Sequence, residues 1–178
     1  MKFAALFASA LVAAAAAGPV ELEARQAIAP GNCGNPANAR PFYRLYNGAA
    51  VDHFYTLSAN EAQAATGLGY SREGISSYIF PGRAQGTVPL YRLYSASATD
   101  HFYTTSAAER SSAIGLGYTP EGIAGYIYPN NNCGGVPLYR LYSASGTDHF
   151  YTTSAAERNS AIRSGYVSEG ITGYVYPY

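Results

Sequence analysis

A unit of 48 residues written three times in succession limits this chain more than any motif inside it. The first copy runs from Pro41 to Pro81, the second from Pro89 to Pro129 and the third from Pro137 to Pro177. Copies two and three agree at 33 of 41 aligned positions, and copies one and two at 25. A unit of about 41 residues cannot bury its own apolar face, so the three must pack on one another. Three are too few for a long solenoid, and a ring removes exposed sheet edges.

The middle copy shows what each unit builds. Leu90-Tyr91-Arg92-Leu93-Tyr94 is an aromatic-rich strand, and alternation sets Tyr91 and Leu93 against Leu90, Arg92 and Tyr94. After a small polar turn, His101 to Thr105 forms a second strand, with His101 and Tyr103 opposite Phe102 and Thr104. Ser106-Ala107-Ala108-Glu109 is a capping box opening a short helix through Ile114, ended by Gly115 and Gly117. Tyr118 to Gly122 reads as a turn and Ile123 to Tyr128 as a third strand stopped by Pro129. The pattern predicts a mainly β, pseudo-three-fold ring, like a three-bladed propeller with one short helix per unit. A β-trefoil is the alternative, less favoured because trefoil units are usually all strand.

The N-terminus reads as an address. Lys2 followed by the apolar run Phe3–Ala17 predicts a signal peptide over 1–17, too short for a membrane span. Residues 18–25 read as a pro-segment cut after Arg25, leaving 26–178 as one secreted, extracellular domain. That domain holds nine Arg, nine acids and no Lys. Phosphate binding needs a cluster of unpaired cations, so neither nucleic acid nor an anionic membrane is an expected partner. Cys33 and Cys133 are the only cysteines, and an even count in a secreted chain predicts one disulfide.

Every acid beyond residue 25 falls into a triplet, and so do all three histidines. Glu61, Glu109 and Glu157 hold the third helical position of the capping boxes, which explains them without catalysis. Asp52-His53, Asp100-His101 and Asp148-His149 admit three readings. In the first, each aspartate ends a turn and each histidine is hydrogen-bonded inside its blade.

In the second reading, every unit carries a ligand groove. The first is made of Arg44, Asp52, His53, Tyr55 and Glu73; the second of Arg92, Asp100, His101, Tyr103 and Glu121; the third of Arg140, Asp148, His149, Tyr151 and Glu169. In the third, His53, His101 and His149 converge on the axis and hold a metal, as three imidazoles with an open position do in catalytic zinc sites. Otherwise no cofactor is expected. Arg44, Arg92 and Arg140 lie mid-strand, where a lone charge is costly. An Arg–Glu clamp with Glu73, Glu121 and Glu169 is the plain explanation for them. Tyrosine outnumbers phenylalanine 18 to 7, and most tyrosines are expected in the core, with some free to stack on sugar rings.

The tripled Leu/Phe-Tyr-Arg-Leu-Tyr, Asp-His-Phe-Tyr-Thr and Glu-Gly-Ile pattern resembles a repeat family of secreted fungal and bacterial proteins of unassigned function. The resemblance covers Pro41 to Pro177. It implies an accessory or binding role, because bacterial relatives look to be appended to secreted hydrolases and cell-wall enzymes. The leader looks like that of a filamentous fungus. The leading expectation is therefore a monomeric, non-catalytic module binding a carbohydrate or cell-wall polymer at up to three sites. The alternatives are a protein or enzyme with an axial three-histidine metal, and a structural or host-interaction protein. The last is favoured if the Asp, His and Arg side chains are buried and mutually satisfied.

Overall fold

The computed structural model describes residues 32–177; the expected signal peptide and pro-segment lie outside them. Each unit builds one three-stranded antiparallel sheet and one helix. In the first, β1 (Arg40–Asn47) turns into β2 (Asp52–Thr56), α1 (Ala59–Thr66) follows, and β3 (Ser71–Ile79) returns to the other edge of β1. The second unit repeats this as β4 (Val88–Ser95), β5 (Asp100–Thr104), α2 (Ala107–Gly115) and β6 (Thr119–Ile127). The third does so as β7 (Val136–Ser143), β8 (Asp148–Thr152), α3 (Ala155–Arg163) and β9 (Val167–Val175). The sheet orders are β2-β1-β3, β5-β4-β6 and β8-β7-β9. Among the described residues no continuous ladder closes them into a barrel, so the three-unit ring is found rather than the trefoil.

Strand alternation sorts the side chains as expected. Leu90 faces the axis, whereas Leu93 meets Phe102 and Ala113 beneath its own helix. The third strand starts earlier than the sequence pattern suggested, because Thr119 to Gly122 pairs with β4 instead of forming a turn. Gly122 makes this feasible: it sits at φ +101°, beside a register shift between Arg92 and Leu93. Pro120 is tolerated because β6 is an edge strand.

The units share one axial core. Phe42, Leu90 and Leu138, then Tyr55, Tyr103 and Tyr151, then Ile79, Ile127 and Val175 form a single buried cluster. Packing there is close. A Cβ on Gly125 would fall 2.5 Å from Cδ1 of Ile79, and one on Gly173 at the same distance from Cδ1 of Ile127. At the third interface the same positions carry Ser77 and the shorter Val175.

At the ends of the third strands the units exchange paired backbone hydrogen bonds: Tyr78 with Tyr176, Phe80 with Tyr126, and Tyr128 with Tyr174. Phe80, Tyr128 and Tyr176 stack edge-to-face as a cap, with centroids 5.8–5.9 Å apart. Cys33 and Cys133 are disulfide-bonded against this cap, across a sequence separation of 100. No helix among the described residues is long and apolar enough to cross a membrane.

Candidate functional site

Three fully buried carboxylates surround the pseudo-axis. Asp52, Asp100 and Asp148 have no exposed surface at all. Each binds the histidine of the next unit rather than the one beside it in sequence. Asp52 accepts the His101 backbone N–H through Oδ1 at 2.8 Å and the His101 Nδ1–H through Oδ2 at 2.7 Å. Asp100 holds His149 in the same way, and Asp148 holds His53, so the circle closes. Tyr70, Tyr118 and Tyr166 donate their hydroxyls to the aspartate of their own unit. Each carboxylate thus receives three donors, enough to offset the desolvation of a buried charge. Burial, and then the bond to an anionic acceptor, raise these three phenols well above the ordinary tyrosine range.

The turn that delivers each aspartate is strained. Val51, Thr99 and Thr147 stand just before the three aspartates with φ of +53° to +54°. β-Branched residues rarely enter that region, at a cost of about 1–3 kcal/mol each. The aspartate network must over-determine them.

The tyrosines of the same strands form a second circle. The Tyr103 hydroxyl donates to the Tyr55 carbonyl at 2.7 Å and accepts the Tyr55 N–H at 2.9 Å. Tyr151 does this to Tyr103, and Tyr55 to Tyr151. Full burial drives all three phenols far above their ordinary pKa. They are structural rivets, with no edge open to a ligand.

At the seams between units, charge comes nearer to solvent. Arg92 makes a two-pronged bond to Glu61 of the preceding unit, Nη1 to Oε2 at 3.0 Å and Nη2 to Oε1 at 2.9 Å. Its Nε lies 2.8 Å from Oε2 of Glu121 in its own unit. Arg140 joins Glu109 and Glu169, and Arg44 joins Glu157 and Glu73, in the same geometry. Burial works against each guanidinium, but the forked bonds and flanking carboxylates prevail and hold its pKa above the usual value. Each guanidinium also lies over a phenylalanine of the neighbouring unit, 5.2–5.3 Å from the ring centre.

Among the described residues, clefts open at two of the seams. One of about 260 Å³ is lined by Arg44, Glu73, Ile75, Ser76, Thr153 and Glu157, among others, and its equivalent between units two and three measures about 190 Å³.

The sequence-predicted residues therefore divide. Asp52, Tyr55 and their equivalents belong to the axis; Arg44, Glu73 and theirs line the seams. His53, His101 and His149 stand between, 12 % exposed, with Nε2 3.7–4.0 Å from Glu73, Glu121 or Glu169. The unit groove expected from sequence is not formed within one blade, because its aspartate turns to the neighbouring unit. Nor do the histidines meet as an axial metal site. Among the described residues the cluster with ligand spacing is Asp52, Asp100 and Asp148, whose oxygens lie within 4.8 Å of one another. Such oxygens suit a hard cation rather than zinc.

Sequence reasoning missed Glu61, Glu109 and Glu157. Their N–H groups do bond the Ser58, Ser106 and Ser154 caps. The returning arm of the capping box is absent, because Thr56, Thr104 and Thr152 accept the serine N–H instead. The freed carboxylates go to arginine across the seam. For Glu61 and Glu157 burial pulls upward, yet arginine and threonine bonds lower their pKa; for Glu109 the arginine bond leads.

This architecture defines a repeat protein whose units are riveted at an axis and clamped at their seams. The chain belongs to the family described as a domain of unknown function, DUF5648, which it matches over residues 36–176. No curated protein and no solved structure matches it.

Proposed function

We propose that the protein is a secreted, monomeric, non-catalytic module that binds a carbohydrate or cell-wall polymer in the seams between its units. The signal-like leader and the disulfide support an extracellular setting. One observation carries the reading: the acids of the two open clefts stay 30–38 % exposed, while the axial acids are sealed off. Carboxylates, hydroxyls and the aliphatic edge of Ile75 or Ile171 suit the alternating polar and apolar faces of a sugar.

Hydrolysis is disfavoured. A glycosidase needs one carboxyl kept protonated, whereas Glu109 and Glu157 have lowered pKa values and share an arginine with the second acid.

Pull-down on insoluble wall polysaccharides and a glycan array test this. Glu73→Ala with Glu169→Ala keeps each arginine paired to Glu157 or Glu109, and should abolish binding without unfolding the ring. Equal retention of parent and double variant on every polymer would contradict the proposal.

A second reading has its own observation. The Asp and His side chains are largely buried and bond one another, and the Arg side chains are largely buried and paired with glutamates, which favours a secreted structural or host-interaction protein. Absence of binding to all wall polymers would favour it.

A further inference from the structure

We infer that the ring is bivalent rather than trivalent, and that its two competent seams take amino-sugar segments. This rests on the binding reading above. The three seams are not alike. At the position shared by Ser76, Ala124 and Thr172, two units carry a hydroxyl and the middle one a methyl. Ser76 Oγ and Thr172 Oγ1 are buried and have no hydrogen-bond partner in the protein. Ser76 is only 7 % exposed, yet it lines the cleft between units three and one. Thr172 lines the cleft between units two and three. A buried hydroxyl left without a partner carries an uncompensated desolvation penalty, which a ligand's donor or acceptor removes.

Ser77 Oγ also lacks a partner, but it is fully buried and is not part of the cleft wall.

Across the cleft the same division holds. Thr105 and Thr153 line the two polar seams, whereas the equivalent Leu57 packs with Ala124 against the axial core. The seam between units one and two has therefore exchanged both hydroxyls for apolar groups, while keeping its Arg92 clamp.

Charge selects the ligand class. Each competent seam sets two carboxylates against one guanidinium, for a net charge of −1 before the histidine is counted. The guanidinium is already engaged by both acids, so the cleft offers acceptors. A ligand supplying hydroxyl and ammonium donors is favoured, and a polyuronate is repelled.

Isothermal titration of the mature protein with a glucosamine trimer should give two sites per chain. The N-acetylglucosamine trimer should bind roughly fivefold more weakly for want of its charge, and a galacturonate trimer should not bind. Ser76→Ala and Thr172→Val should each remove one site and together both, with the unfolding temperature unchanged or raised. Leu57→Thr with Ala124→Thr should bring the count to three. Three sites in the parent, a site count unaffected by the hydroxyl deletions, or tighter binding of the galacturonate trimer would overturn the inference while leaving a binding module intact. Failure of all three trimers together with every wall polymer would overturn both.

Discussion

The axis and the seams use the same side-chain chemistry to opposite ends. At the axis the Asp, His and Tyr triplets are identical in all three units, and each carboxylate and each Tyr55-type hydroxyl is matched with partners from a neighbouring unit. At the seams the charges are also paired, but the positions around them vary: Leu57, Thr105 and Thr153 on one wall, Ser76, Ala124 and Thr172 on the other. Polar groups that the fold itself consumes leave nothing for a ligand. The proposed binding sites lie where satisfaction is incomplete and the units differ.

That contrast can be broken by experiment. The disulfide closes the capped end of the axis, so replacing Cys33 and Cys133 by Ser should cost up to roughly 4–5 kcal/mol, less if the unfolded chain is compact. Urea titration of parent and variant measures it, and seam binding should be unchanged. Asp100→Ala strands the His149 N–H, the His149 ring and Tyr118 in a buried place, and should cost about 3–5 kcal/mol. If the loss were under about 1 kcal/mol, the aspartate circle would not hold the units together. Tyr103→Phe orphans the N–H and carbonyl of Tyr55, each worth about 1–3 kcal/mol, with the same urea readout.

Alkali attacks the axis specifically. The phenols of Tyr55, Tyr103, Tyr151, Tyr70, Tyr118 and Tyr166 are raised above the ordinary value of 10.0. Above that pH the unfolded chain releases protons that the folded ring retains, so stability falls as pH rises. Urea midpoints should hold level up to about pH 10 and drop steeply beyond it. The seam acids act in the other direction and more weakly. Glu61, Glu109 and Glu157 are lowered from 4.5, so their contribution is complete above that pH and fades as pH falls through the lowered values. Because they are partly exposed, the acid loss should be the smaller of the two.

Much of the fold was legible in the repeat. Period-2 alternation put His101 and Tyr103 on one face and Phe102 on the other, and the even count of two cysteines in a chain with a signal-like leader pointed to the Cys33–Cys133 bridge. The Arg92–Glu121 contact was also readable within one unit. Contacts between units were not, because a tripled sequence says which positions are equivalent but not which neighbour each side chain reaches. That Asp52 meets His101 rather than His53 was illegible for that reason. Glu109 was hidden differently: a local capping motif gave it a sufficient role, and only the competing Thr104 hydroxyl releases it to Arg140. The early start of β6 was masked by Pro120 and Gly122, which read as turn residues but sit on a bulged edge strand.

The separation of axis from seam is tested most directly by one pair of melting curves. Ser76→Ala/Thr172→Val protein is heated with and without saturating glucosamine trimer, beside the parent. Without ligand the variant should melt at the parent temperature or above it, because the hydroxyls it lacks had no partner. With ligand the parent should gain stability by mass action and the variant should gain none. A variant that melts lower without ligand, or that gains as much as the parent with it, would contradict the assignment of structure to the axis and binding to the seams.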